Sequence, residues 1–98
     1  MNIVPITLAD AKRQLGQLKK EYEDVLETFN EKIVREPHAL FPLISKVSNL
    51  NKREVELLER MKASFPEGSE ERMRTRTLYR EEQQARSQAY EAIERMKK

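Results

Sequence analysis

The sequence predicts an all-α fold: a long antiparallel, coiled-coil-like helical hairpin with two shorter helices packed against it, as one domain over residues 1–98. Three observations lead there. Apolar residues repeat every seven positions through the first third of the chain. Helix-start patterns, a Thr, Asn or Ser with an acidic residue one to three positions on, recur at Thr7, Asn51 and Ser69. Prolines and a glycine punctuate the stretches between.

Met1-Asn2-Ile3-Val4-Pro5-Ile6 is apolar, β-branched and interrupted by proline, and reads as an extended arm over 1–6. Thr7 then serves as N-cap, with Asp10 in the capping-box position. Leu8, Leu15, Tyr22 and Phe29 recur as one seam position of the first helix, and Ala11, Leu18 and Val25 as the other. No polar residue falls in either position, a strong coiled-coil-like signal. Leu26 and Ile33 widen this stripe. Helix one is expected over 8–35, roughly 40 Å at 1.5 Å per residue. Gly16 falls on its outer face.

Pro37 disfavours helix at Glu36 and ends the first element. Pro42 is tolerated in a first turn, which predicts a short helix over 42–48. Asn49-Leu50-Asn51 reads as the next break. There Asn51 and Glu54 form a capping box, and Leu50 with Val55 supplies a hydrophobic staple. Helix three follows over 52–64, burying Leu57, Leu58 and Met61, with Phe65 at its end. Phe65-Pro66-Glu67-Gly68 is a turn, and Ser69 caps helix four over 70–97, with Glu70 and Glu71 set favourably against the helix dipole. The stripe of helix four, Leu78, Tyr79, Ala85, Ala89, Ala92, Ile93 and Met96, is broken by Glu82 and Arg86. Its small residues invite close approach by a neighbour.

Composition narrows the function. The 98 residues contain 38% hydrophobic and 37% charged residues, so the core is thin. There is no cysteine, one histidine and two glycines. A disulfide scaffold, a thiol nucleophile, a zinc finger and a glycine-rich phosphate loop are all disfavoured, and no cofactor or metal is expected. Five serines lack a neighbouring base, and the carboxylates alternate with basic partners along helical faces, so no enzyme is expected. No apolar run approaches the ~18 residues of a membrane span. The start also lacks a secretory signal, so the expected location is cytoplasmic.

Charge is nearly balanced, 19 basic against 17 acidic residues. Its placement is not even. Arg72, Arg76 and Arg80 recur at i, i+4, i+8, and none has an acidic residue three or four positions away. The other charges of helix four pair locally, as Glu70–Arg74, Glu82–Arg86, Glu91–Arg95 and Glu94–Lys98. Glu23, Glu27 and Glu31 form an acidic stripe of the same spacing on helix one, opposite its seam. The plainer alternative is that both stripes are only solvated.

Two short stretches are similar to known families. Leu50 to Leu58 resembles the first helix of helix-turn-helix regulators of the LuxR type over about a dozen residues. The turn and recognition helix that such a regulator needs are missing after Phe65-Pro66-Glu67-Gly68. Leu78-Tyr79-Arg80 resembles the tripeptide of mitochondrial LYR-motif proteins, but sits in the last helix rather than near the start of the bundle.

Helix one carries more apolar surface than helix four can cover. That leads to a protein–protein interaction module, a small adaptor, chaperone or assembly factor, working by helix packing with itself or with a protein partner. The expected contact residues are Leu15, Leu18, Tyr22, Val25 and Phe29 for the seam, and Arg72, Arg76 and Arg80 for charge selection. The alternatives are a nucleic-acid-binding regulator using the Arg72–Arg80 patch with Tyr79 to stack on a base, and a structural component of a larger phage or secretion assembly.

Overall fold

A computed structural model describes residues 3–32 and 35–97. The chain forms α1 (Leu8–Lys32), a 3₁₀ turn (Pro37–Ala39), α2 (Leu40–Ser64) and α3 (Glu70–Lys97). The fold is all-helical, in a bundle of 47 × 28 × 21 Å.

Each helix start has a visible local cause. Thr7 Oγ1 accepts the Asp10 N–H at 3.2 Å, and Ser69 Oγ accepts the Arg72 N–H at 3.3 Å, so both caps satisfy amides that have no partner within the helix. Gly68 has φ +81, a left-handed conformation that a side chain disfavours, and it turns the chain from Phe65 into α3. Pro42 sits in the first turn of α2, where its missing N–H leaves no ladder bond open.

The middle of the chain corrects the expected architecture. The two short helices over 42–48 and 52–64 are one helix of 25 residues that runs straight through Asn49-Leu50-Asn51. Leu43, Val47, Leu50, Glu54, Leu57 and Met61 are buried along it as one heptad stripe. A helical asparagine costs at most about 0.7 kcal/mol relative to alanine. Burying Leu50 returns about 1.5–3 kcal/mol, so the stripe outweighs the local break signal.

Merging two helices into one also reverses the expected direction of the last. Three helices joined by short turns run up, down and up, so α1 and α3 are parallel rather than an antiparallel hairpin. Lys19 Nζ lies 3.5 Å from Glu81 Oε2, and farther along both helices Phe29 lies beside Ala92 and Met96. These two helices share the most extensive contact in the bundle, with Ala85 and Ala89 of α3 buried. Helix α2 runs antiparallel to both, with Arg53 against Glu21 at 2.8 Å and Arg86 near Glu54 at 3.5 Å.

Helix one was expected to reach Arg35, which instead lies in a turn. The expected contribution of Ile33 to the stripe, and of Lys98 to a pair with Glu94, lie outside the described residues. The arm from Ile3 is held across the end of α2. Arg60 donates from Nε to the Val4 carbonyl at 3.0 Å and from Nη2 to the Pro5 carbonyl at 3.1 Å, and the Ile6 N–H donates to Ser64 Oγ at 3.0 Å. Ile6 is buried as a result. At the opposite end of α2, Leu43 is buried and Leu40 and Ile44 half-buried, while Phe41 projects outward.

Candidate functional site

The seam residues lie inside the chain. Leu15, Leu18, Tyr22 and Val25 are buried with Ala11 against α2 and α3, and Phe29 is half-buried at the end of the row. This corrects the premise that helix one carries more apolar surface than the rest of the chain covers. The coverage comes from α2: as one continuous helix it brings Leu43, Val47, Leu50, Leu57 and Met61 to the shared axis. A partner helix on the seam would have to displace a helix of the chain itself.

The arginines lie elsewhere. Helix α3 brings Arg72, Arg76 and Tyr79 to a groove of about 720 Å³ between α2 and α3, at the end closed by the Phe65–Gly68 turn. Leu58, Met61, Phe65 and Tyr79 line it. Phe65 and Met61 are buried, and Thr75 is buried beside them, its hydroxyl donating to the Arg72 carbonyl at 3.0 Å. The rim is apolar but uncovered: Val55 is 46% exposed and Met73 68%. Arg72 is half-buried, whereas Arg76 and Arg80 are exposed. None of the three has an ion pair among the described residues, while Arg74 holds Glu70 at 2.6 Å and Arg95 holds Glu91 at 2.7 Å. The acidic stripe of Glu23, Glu27 and Glu31 is exposed on α1, which does not line this groove. The structure therefore keeps the two stripes apart within the monomer.

A second cluster is buried halfway along the bundle. Glu54 is 3% exposed and Glu82 0%. The expected local pair of Glu82 with Arg86 is corrected here: Glu82 fills a core position, and Arg86 Nε approaches Glu54 Oε1 while its guanidinium stacks 5.0 Å over the Tyr90 ring. Gln83 Nε2 donates to Glu82 Oε2 at 2.9 Å. Burial pushes the Glu82 carboxyl up to about 8, helped by its hydrogen bond to Glu54 and opposed by Gln83 and Arg86. Burial thus favours the protonated form of Glu82, whose carboxyl faces that of Glu54. The Tyr22 hydroxyl adjoins this cluster and is pushed up by its burial and then by Glu54.

Sequence reasoning missed Glu54 and Glu82 as core residues and Val55 and Met73 as groove residues. A signal for the first pair was present. Glu54 falls on the spacing of Leu43, Val47, Leu50, Leu57 and Met61, and Glu82 on that of Thr75, Ala85, Ala89 and Ile93. Among the described residues, no three His, Cys, Asp or Glu side chains come together as a metal-binding set, and no helix is long and apolar enough to cross a membrane. No protein-family model, curated protein or solved structure matches this chain.

Proposed function

We propose that this chain is a non-enzymatic protein–protein interaction module, a small helical adaptor or assembly factor, whose binding face is the α2–α3 groove and not the seam of α1. One observation carries this reading: Val55 and Met73 stand exposed on the rim of an apolar groove that the described residues leave unfilled. Scattered exposed apolar side chains are ordinary, but two of them bordering a concave, apolar-lined wall mark a contact surface. Three arginines without an ion pair among the described residues lie along the same edge and would supply charge selection.

The test is solution NMR of the labelled protein titrated with a short amphipathic helical peptide bearing a leucine face. Shift changes confined to Val55, Leu58, Met61, Met73 and Tyr79 are expected, with Leu15 to Val25 unmoved. Changes centred on the α1 seam, or none with any such peptide, overturn the reading.

A further inference from the structure

We infer that the occupant of the α2–α3 groove is a helix with an apolar face and an acidic edge, its carboxylates spaced i, i+4, i+8 to meet Arg72, Arg76 and Arg80. This rests on the reading of the groove as a protein-binding face and specifies the chemistry of the partner.

The shape of the groove selects a helix over an extended segment. Its walls are two helices whose backbone amides and carbonyls are bonded within themselves, so they offer nothing to the backbone of a strand. A strand pressed on Leu58, Met61 and Tyr79 would carry unpaired polar groups into apolar contact, whereas a helix arrives with its own satisfied. The α2 wall from Val55 to Phe65 is about 15 Å long at 1.5 Å per residue, which seats roughly three turns. A helix laid there would be a fourth member of the bundle, on the side where α2 and α3 part.

The charge of the two rims differs, and that selects the acidic edge. On the α3 side, Arg72 and Arg76 border the groove and Arg80 continues their line one turn on. Of the acids flanking the stripe, Glu81 is turned to Lys19 on α1 at 3.5 Å, Glu70 is held by Arg74, and Glu71, next to Arg72, does not line the groove. On the other side, Glu59 stands on the α2 wall and Glu67 in the turn, with Lys62 between them. A ligand charged all round, such as a phosphate backbone, would meet those carboxylates as well as the arginines. A helix with carboxylates on one edge alone meets only the arginines.

The experiment compares three helical peptides of about 15 residues that share one leucine face and differ only at three edge positions, filled with Glu, Gln or Lys. Fluorescence anisotropy at low salt is expected to rank Glu over Gln over Lys, with about a tenfold gain for Glu over Gln, the scale of three exposed ion pairs together. Moderate salt shrinks that gain. The triple variant Arg72→Glu, Arg76→Glu, Arg80→Glu, its helicity checked by circular dichroism, is expected to invert the order. Equal affinities for the three peptides overturn the acidic-edge inference while leaving the groove as a binding face. No binding by any of them overturns the binding face itself. An oligothymidylate that binds more tightly than the Glu peptide overturns both in favour of nucleic acid.

Discussion

The seam of α1 and the groove between α2 and α3 are both apolar surfaces built at helical spacing, yet one is closed and the other open. The difference lies in which side of a helix the residues occupy. Ala11, Leu15, Leu18, Tyr22 and Val25 point to the bundle axis, where two other helices can reach them. Val55 and Leu58 lie on the flank of α2, next to the stripe that holds Leu57 and Met61. Three helices have one shared axis, so a flank stripe has no neighbour left to cover it. The closed and the open apolar surfaces thus share a single helix, on different sides of it.

The sharpest way to break this comparison is to place a charge in the closed surface. Val25→Asp sets a carboxylate at a position only 1% exposed, and the expected loss is more than about 5 kcal/mol, on the scale of the whole stability of a chain this size. Urea titration followed by circular dichroism is expected to show no cooperative transition. A Val25→Asp variant that folds and merely changes its subunit number would return the seam to the surface.

The buried carboxyl pair gives the next largest effect, through pH. Glu82 titrates near its ordinary value of 4.5 in the unfolded chain and at about 8 when folded. Between those values the folded chain holds a proton that the unfolded chain has released, so stability falls as pH rises and levels off above about 8. At about 1.4 kcal/mol per unit the decline amounts to a few kcal/mol. Glu82→Gln keeps a hydrogen-bond donor facing Glu54 without the proton, and its stability is expected to be flat over the same range. A wild-type curve that rises through that window would show that Glu82 is ionised in the bundle.

These two regions also mark how far the residues could be read unaided. The helical class, the Thr7 and Ser69 caps and the turn at Gly68 are local features, and local spacing carried them. The path of α2 was misread because Asn51 and Glu54 satisfy a capping box and a heptad position at once. Counting Glu54 as a cap hid the repeat from Leu43 to Met61 and divided one helix in two. The direction of α3 then followed wrongly, since the number of helices decides which are parallel. Arg72, Arg76 and Arg80 stood out because local pairing is absent. Val55 and Met73 did not, because exposure of an apolar residue depends on how many helices share the axis.

The ends of the helices test whether the open side is also the softer one. Ser69→Ala removes the acceptor for the Arg72 amide, and about 1 kcal/mol is expected to go with it. Thr7→Ala removes the matching bond at α1, where Arg60 and Ser64 also pin the arm. Hydrogen exchange is expected to quicken locally in the first turns of α3 for the first variant. For the second it is expected to stay slow at Ile6 and Ala11. Equal fraying in both would mean that the arm contributes nothing to the start of α1.

The smallest expected effect decides what Met73 is for. At 68% exposure its side chain has most of its surface in water already, so Met73→Ser is expected to alter stability by less than about 0.5 kcal/mol. A hydrophobic residue that folding does not need, beside Arg72 and across the groove from Val55, is what the proposed binding face requires. The comparison with Met61, buried on the facing wall, is direct: Met61→Ser is expected to cost at least about 2 kcal/mol. Chemical denaturation of the two variants side by side measures the difference. If Met73→Ser costs as much as Met61→Ser, the groove closes in solution over Met73, and the open side of the bundle is part of its core.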